Sequence, residues 1–371
     1  MSTAEPSFSG SYDILVIGAG PAGSSAARAA ARMGFKVLLI EKNKRIGVPV
    51  HCAELVSKWV SCHASFTPGS ITQSIETMNV HLPNGVTYEM KSPGYMLDRS
   101  LFDKELATSA ILSGADVLTG AKALEASSEG VLIEQGSRTE WIRTKVVIGA
   151  DGVHSTVARW ITQPSLRVMV ALQYEVALFE SQSHADIYFH PDYEGGYAWF
   201  FPKARTANVG IGVLPQKTSM LSELLNRFLN LLKDSGRLPR IEIISKTGGS
   251  IPCEPRQQTV FGNTLLVGDA AGHAHPITGA GILNAVIAGE IAGRIGAEAV
   301  GKGDIRYLEH YESQWREAFG NPLLYGAFKR KFLEEHWINS GIDFETLIRK
   351  TWVGFKEYYR ERKKWETKEI S

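Results

Sequence analysis

The sequence predicts an α/β protein: a nucleotide-binding unit on a parallel sheet, interrupted by an antiparallel-sheet segment and followed by a helical C-terminal region. Three observations predict it. Residues 12–42, YDILVIGAGPAGSSAARAAARMGFKVLLIEK, read as strand, glycine turn, helix and strand. Two later apolar strands run straight into GADG at 149–152 and VGDAAG at 267–272, placing amides and carboxylates where such sheets bind ligands. Residues 166–214 hold strand-like runs divided by glycine, proline and charged turns, with no helical period.

Each part of the first stretch has a physical task. Gly18 permits the tight turn, Gly20 lets backbone approach a pyrophosphate, and Gly23 allows close packing of helix on strand. Pro21 and Ala22 open the helix, whose free N–H groups favour phosphate. Glu41 ends the second strand, followed by Lys42, and its carboxylate suits ribose hydroxyls of FAD or of NAD.

Bulk properties narrow the class. The 371 residues are 44% hydrophobic and 21% charged, ordinary for a folded protein with a full core. Forty basic against 39 acidic residues leave a formal charge of +1, which offers nothing to nucleic acid. Cys52, Cys62 and Cys253 are too few and scattered for a disulfide framework or metal cluster, so a reducing cytoplasm is the expectation. The first eleven residues read as a disordered leader without a signal pattern. No stretch reaches the roughly 20 apolar residues that span a bilayer.

Along the chain, residues 53–60 read as a helical turn or two. Residues 72–80 and 86–90 read as a hairpin about Pro83-Asn84-Gly85. Asp98-Arg99 precedes a helix over 100–112, and strands follow at 115–118, 131–134 and 141–148. The antiparallel segment comprises 168–178, 185–189, 196–201 and 206–213, with a helix at 219–232 and an edge strand at 241–246. A strand at 265–267 leads through Gly268-Asp269 into a helix from Gly279 or Gly281, and helical patterns fill 305–337 and 344–365. Asp269 is placed for polyol hydroxyls, and amides near Gly281 favour partial negative charge. The expected division is 10–70, 98–163 and 259–302 for the nucleotide unit, 71–97 and 164–258 for the substrate unit, and 303–371 for the helical region.

GAGPAG with Glu41, Asp98-Arg99, GADGVHSTVAR and VGDAAG with Pro276 and Gly279 to Gly281 resemble the flavoprotein hydroxylase superfamily, which shares the para-hydroxybenzoate hydroxylase fold. The resemblance implies one tightly held FAD. Glu41 would bind the adenosine ribose, with Arg99 and the 18–23 turn by the pyrophosphate. Asp269 would hold the ribityl chain, and Gly279, Ala280, Gly281 and Ile282 would lie along the isoalloxazine. Asp151 and Gly152 would support the cofactor side. With no second GxGxxG unit, a nicotinamide donor would be transient.

A narrower match lies in Tyr197-Ala-Trp199-Phe-Phe201-Pro202, followed by Gly210-Ile-Gly212. It looks like the YxWxFP…GxG motif of geranylgeranyl reductases, and Pro49-Val-His51-Cys52 resembles their PxxC loop. That resemblance implies reduction of isoprenoid double bonds, with Tyr197, Trp199 and Phe201 lining the substrate pocket and Cys52 near the flavin. The chemistry asks for similar parts. An apolar alkene offers no charge to grip, and burying roughly 200 Å² of it contributes on the order of 5 kcal/mol. Tyr197, Trp199 and Phe201 alternate, so they share one face of a strand, although plain core is the other reading of such a pattern. Saturation also needs a proton, for which Cys52, His51 and Tyr197 are candidates. His273 and His275 lack a third ligand for a metal and read as polar pocket contacts, while Cys62 and Cys253 read as structural.

Three functions compete on these grounds: an isoprenoid reductase, a monooxygenase of the same fold, and a flavoprotein that binds lipid or passes electrons to a protein partner. The tail from Phe355 to Ser371, with six basic and four acidic residues, reads as a helical cap or as a contact with anionic lipid at the inner face of the cell membrane.

Overall fold

The structure, a computed structural model, describes residues 10–128, 130–337, 341–362 and 365. The leader expectation therefore falls mostly outside the described residues, and its last residue, Ser11, already belongs to a strand.

Two eight-stranded sheets organise the molecule. In the first, Thr264–Leu266, Arg138–Gly149, Ser11–Ile17, Val37–Glu41 and Asp116–Thr119 lie side by side and parallel. Their apolar runs are buried on both faces, as a sheet sandwiched between layers requires. Parallel neighbours all end at one edge, so Gly18, Glu41, Asp151 and Gly268-Asp269 converge there despite their distance in sequence. The helices Pro21–Arg32 and Ile282–Lys302 pack on this sheet through alanine-rich faces. Gly18 has φ +102°, and a Cβ on Gly23 would stand 1.8 Å from the Gly18 carbonyl oxygen, so the turn accepts only glycine at both places.

The second sheet runs Ile243–Pro252, Val168–Ala177, Thr206–Val213, Tyr197–Lys203, Ala185–Tyr188, Ile71–His81, Thr87–Leu97 and Leu55–Ser57. All its pairings are antiparallel except that of Ala185–Tyr188 with Ile71–His81. Alternation separates its faces. Ala198 and Phe200 lie under the helix Leu221–Asp234, whereas Trp199 and Phe201 join an aromatic layer beneath the C-terminal helices.

Several expectations change in detail. Residues 53–60 give the strand Leu55–Ser57 and the short 3₁₀ turn Lys58–Cys62, because Leu55 to Ser57 pair with Gly94 to Met96. The second sheet thus takes a strand from within residues 10–70. The edge strand begins two residues later and runs on to Pro252. A strand at Ala121–Ser127, absent from the sequence reading, pairs with Gly130–Gln135. The C-terminal pattern divides into shorter helices, among them Asn321–Glu335, Phe344–Thr351 and Lys356–Tyr359. In the tail, Phe355, Tyr358 and Trp365 are buried in the aromatic layer, while residues 363–364 and 366–371 lie outside the described residues.

Candidate active site

The cofactor edge is built mainly from backbone. Glu41 accepts hydrogen bonds from the N–H groups of Ala19 (3.0 Å) and Asn43 (2.9 Å), which braces the glycine turn. Lys42 beside it is exposed. A Cβ added to Gly20 would meet nothing within 4 Å, leaving open room in front of the helix that begins at Pro21. Asp269 has no hydrogen-bond partner for its carboxylate among the described residues, and burial raises its pKa against the opposing pull of Arg99. Gly281 caps the helix Ile282–Lys302, so its first amides lack intrahelical partners. An open glycine cradle, an unpartnered carboxylate and two free helix starts fit a dinucleotide with phosphates, ribose and polyol.

Two residues expected beside the cofactor also have partners within the chain. Asp151 accepts from the Ser155 hydroxyl (2.5 Å) and the amides of Thr156 and Val157 (2.6 and 3.1 Å), capping the helix Thr156–Trp160. Gly152 beside it has φ +81° and open space at its Cβ position. Arg99 makes a two-pronged ion pair with Asp103 (2.8 Å each) and faces the Cys52 thiol.

The aromatic strand stands against the flavin-side turn. The Tyr197 hydroxyl donates to the Thr278 carbonyl (2.6 Å), and burial raises its pKa. Trp199 pairs across the strands with Gly210, and a Cβ there would lie 2.3 Å from the indole. Glycine at 210 therefore lets the ring lie against the sheet. Phe201 stacks beside Trp199, and Pro202 is buried next to it. A cavity of about 20 Å³ lies between Tyr197, Trp199 and Gly212 on one side and Pro276, Ile277 and Gly279 on the other. Met169, Ile251, Pro252 and Cys253 complete its lining, which carries no charged residue. Ala280 is exposed at the turn's outer side, and Ile282 is buried.

The cysteine loop is fastened to this wall by contacts the sequence did not disclose. Gln173 accepts from Trp199 Nε1 (2.9 Å) and donates to the Cys52 carbonyl (3.1 Å). Glu54 is buried, accepting from Lys203 Nζ (2.6 Å), Asn208 Nδ2 (2.9 Å) and the Arg99 amide (2.8 Å). Burial raises the Cys52 pKa, and the Arg99 guanidinium opposes that rise. His51 is exposed, with Nδ1 2.8 Å from the Gly248 carbonyl oxygen. His273 is fully buried against Trp315 and Phe319, both ring nitrogens lack partners, and burial lowers its pKa to about 3. His275 is lowered to about 4 by burial, and its Nδ1 accepts from the Ile277 and Thr278 amides. Neither histidine is in the cavity lining, whereas Cys253 is. Among the described residues, no cluster of three or more His, Cys, Asp or Glu could hold a metal ion.

Residues 13–152 match a family described as FAD dependent oxidoreductase, and residues 168–251 match the geranylgeranyl reductase catalytic domain. A digeranylgeranylglycerophospholipid reductase of Methanosarcina acetivorans is 38% identical over 340 residues, covering 84% of this chain and 82% of that protein. The enzyme of that name from Methanocaldococcus jannaschii is 35% identical, covering 87% of each. The crystal structure of a geranylgeranyl bacteriochlorophyll reductase-like protein from Thermoplasma acidophilum superposes with a TM-score of 0.84 at 29% identity, over 95% of this chain and 99% of that one. A flavin-dependent brominase, at 18% identity and TM-score 0.71, shares the fold. The chain belongs to the geranylgeranyl reductase family of FAD-dependent oxidoreductases.

Proposed function

We propose that this enzyme saturates carbon–carbon double bonds in the geranylgeranyl chains of a membrane lipid. The observation that carries the reading is the uncharged, aromatic-walled cavity between Tyr197 and Trp199 and the Pro276–Gly279 turn. Such a wall suits a chain with no polar handle, since its binding must come from apolar burial. The names of the relatives, which are reductases of digeranylgeranyl glycerophospholipids, support the same substrate class.

Reduced FAD would supply the hydride. The chain's residues then have separate tasks. The 18–23 turn, Glu41, Asp269 and the start of the helix Ile282–Lys302 hold the cofactor. Tyr197, Trp199 and Phe201, with the GxG strand behind Trp199, hold the prenyl chain beside it. Cys52 is the proton donor of choice. Its raised pKa keeps the thiol protonated at neutral pH, and Arg99 beside it stabilises the thiolate left after transfer. The Tyr197 hydroxyl already donates to a carbonyl, and His51 is turned to the edge strand. One hydride and one proton add across each double bond. The two electrons added per bond would come with the hydride that bound FAD supplies, and the thiol regains its proton from water.

An external reductant, a transient nicotinamide nucleotide or a donor protein, would have to supply the two electrons consumed per bond. The substrate resides in a bilayer, so the enzyme works at the cytoplasmic membrane surface; among the described residues no helix is long and apolar enough to cross it. The reading is tested by incubating the holoenzyme with dithionite and a geranylgeranylated glycerolipid under nitrogen. A mass gain of about 2 Da per reduced bond supports it. No product under nitrogen, with a gain of about 16 Da in air, would assign the protein to monooxygenase chemistry.

A further inference from the structure

The flavin-side turn, residues 275–280, is organised around a side chain that the mechanism has not used. Every backbone amide of the turn finds its acceptor inside the turn, and all of these bonds but that of Ala280 involve His275. Its own N–H donates to the Ala280 carbonyl (2.9 Å), and its carbonyl accepts from the Gly279 amide (2.8 Å). Its ring Nδ1 accepts from the amides of Ile277 (3.3 Å) and Thr278 (3.4 Å). Pro276 has no N–H to place, and the Ala280 amide goes to Thr278 Oγ1 (3.3 Å). An imidazole that accepts at Nδ1 carries its proton on Nε2. Burial lowers the ring's pKa to about 4, so the acceptor persists at neutral pH.

The ring is held from its far side by the helix Asn321–Glu335. A Cβ on Gly326 would stand 3.1 Å from the imidazole Cε1 and Nε2 and 3.0 Å from Pro276 Cδ, so the helix lies directly on the turn. Both ends of the turn lead into the site. At one, the Thr278 carbonyl receives the Tyr197 hydroxyl (2.6 Å) and ties down the aromatic strand. At the other, the chain passes through Gly281, where a Cβ would lie 3.4 Å from Asp269 Oδ1, into the helix Ile282–Lys302. With the Ile277 and Thr278 amides turned to the imidazole, the amides this segment leaves for a ligand are those of the helix start.

We propose that His275 is a positioning residue for both halves of the site: by accepting the Ile277 and Thr278 amides it shapes the turn, so that the Thr278 carbonyl holds Tyr197 and the helix start faces the cofactor. The inference rests on the reading above, in which this turn borders the flavin and Tyr197 the prenyl chain. An acceptor and a mere filler of space make opposite predictions here. Asparagine sets a carbonyl oxygen about where Nδ1 stands, in a smaller volume, whereas phenylalanine keeps a ring and removes the acceptor.

The test compares wild-type holoenzyme with His275→Asn and His275→Phe in three readouts. These are the dissociation constant of FAD, the visible spectrum of the bound oxidised flavin, and KM and kcat for anaerobic reduction of a geranylgeranylated glycerolipid. His275→Asn is expected to keep the wild-type spectrum and most of the FAD affinity. His275→Phe leaves two amides without an acceptor; it should weaken FAD by at least about tenfold, shift the spectrum and raise the lipid KM. In a Tyr197→Phe background the KM effect of His275→Phe should vanish while its effect on FAD remains, because the first runs through the Thr278–Tyr197 bond. A phenylalanine variant equal to or better than the asparagine one would overturn the proposal, and so would equal losses in both. A KM effect that persists in the Tyr197→Phe background would overturn the link to the substrate wall. His275→Leu replaces a phenylalanine variant that does not fold; failure of both beside a folded asparagine variant would assign the acceptor to folding alone and overturn the positioning role. If wild type reduces no such lipid, the substrate reading itself has failed, while FAD affinity and spectrum still decide the part of His275.

Discussion

The two halves of the site are built by different means. The cofactor edge is made of backbone: a glycine turn, helix starts and strand ends, supplied by short segments whose parallel pairing brings them together. The proposed substrate wall is made of side chains joined across long sequence distances, as in Trp199–Gln173–Cys52 and Lys203–Glu54–Asn208. At Gly18 and Gly23 the backbone has no room for an added atom. A side-chain site yields by degrees, one contact at a time.

The largest effect expected is at the first kind of site. Gly23→Ala puts a Cβ 1.8 Å from the Gly18 carbonyl oxygen, where neither backbone can retreat. We predict protein that is insoluble or colourless, measured as flavin absorbance per mole of purified chain. A yellow, stable variant would mean that the turn is looser than described. Glu54→Gln tests the second kind. It leaves the mostly buried Lys203 ammonium without its carboxylate, which costs about 3–5 kcal/mol. Urea denaturation should show that loss in a chain that still binds FAD. Equal stability would show that Lys203 finds water instead.

The smallest effect concerns His273. Its pKa falls from the ordinary 6.5 to about 3 in the folded protein, so below pH 6.5 the unfolded state binds the proton more readily. The stability that neutral His273 contributes is present above pH 6.5 and is lost as pH falls toward 3. The slope is about 1.4 kcal/mol per pH unit from this residue. His273→Phe should be nearly neutral at pH 7, because an unpartnered buried ring is exchanged for an apolar one, and should remove that slope. Denaturation at pH 7, 6 and 5 measures the difference; identical slopes would mean that the ring has a partner in solution.

The same contrast explains what could be read from the chain. GAGPAG, GADG and VGDAAG are local patterns with local physics, so the strands and turns of the expected cofactor edge were legible, whereas their order in the sheet came only with the structure. The alternation of Tyr197, Trp199 and Phe201 was legible for the same reason. Glu54 was not, because an acidic residue in a polar loop resembles a solvated one until Lys203 and Asn208 close on it. Gln173 sits unremarked in a strand, and its role exists only because two other segments meet there. Arg99 illustrates the reverse: a motif residue whose guanidinium is engaged by Asp103 four positions on. Leu55–Ser57 was misread because a three-residue strand has too few positions to show a period against its helical neighbours.

The central claim is that the two halves meet at Cys52, where a thiol proton and flavin hydride reach one alkene. The most direct measurement is anaerobic stopped-flow reoxidation of the reduced holoenzyme by a geranylgeranylated lipid, comparing wild type with Cys52→Ser. The account predicts that the variant binds FAD normally and reoxidises in air as fast as wild type. Its alkene-driven reoxidation should slow by about 10²–10⁴-fold, the usual contribution of a general acid. Alkene-driven reoxidation at the wild-type rate would contradict it and remove Cys52 from the proton path.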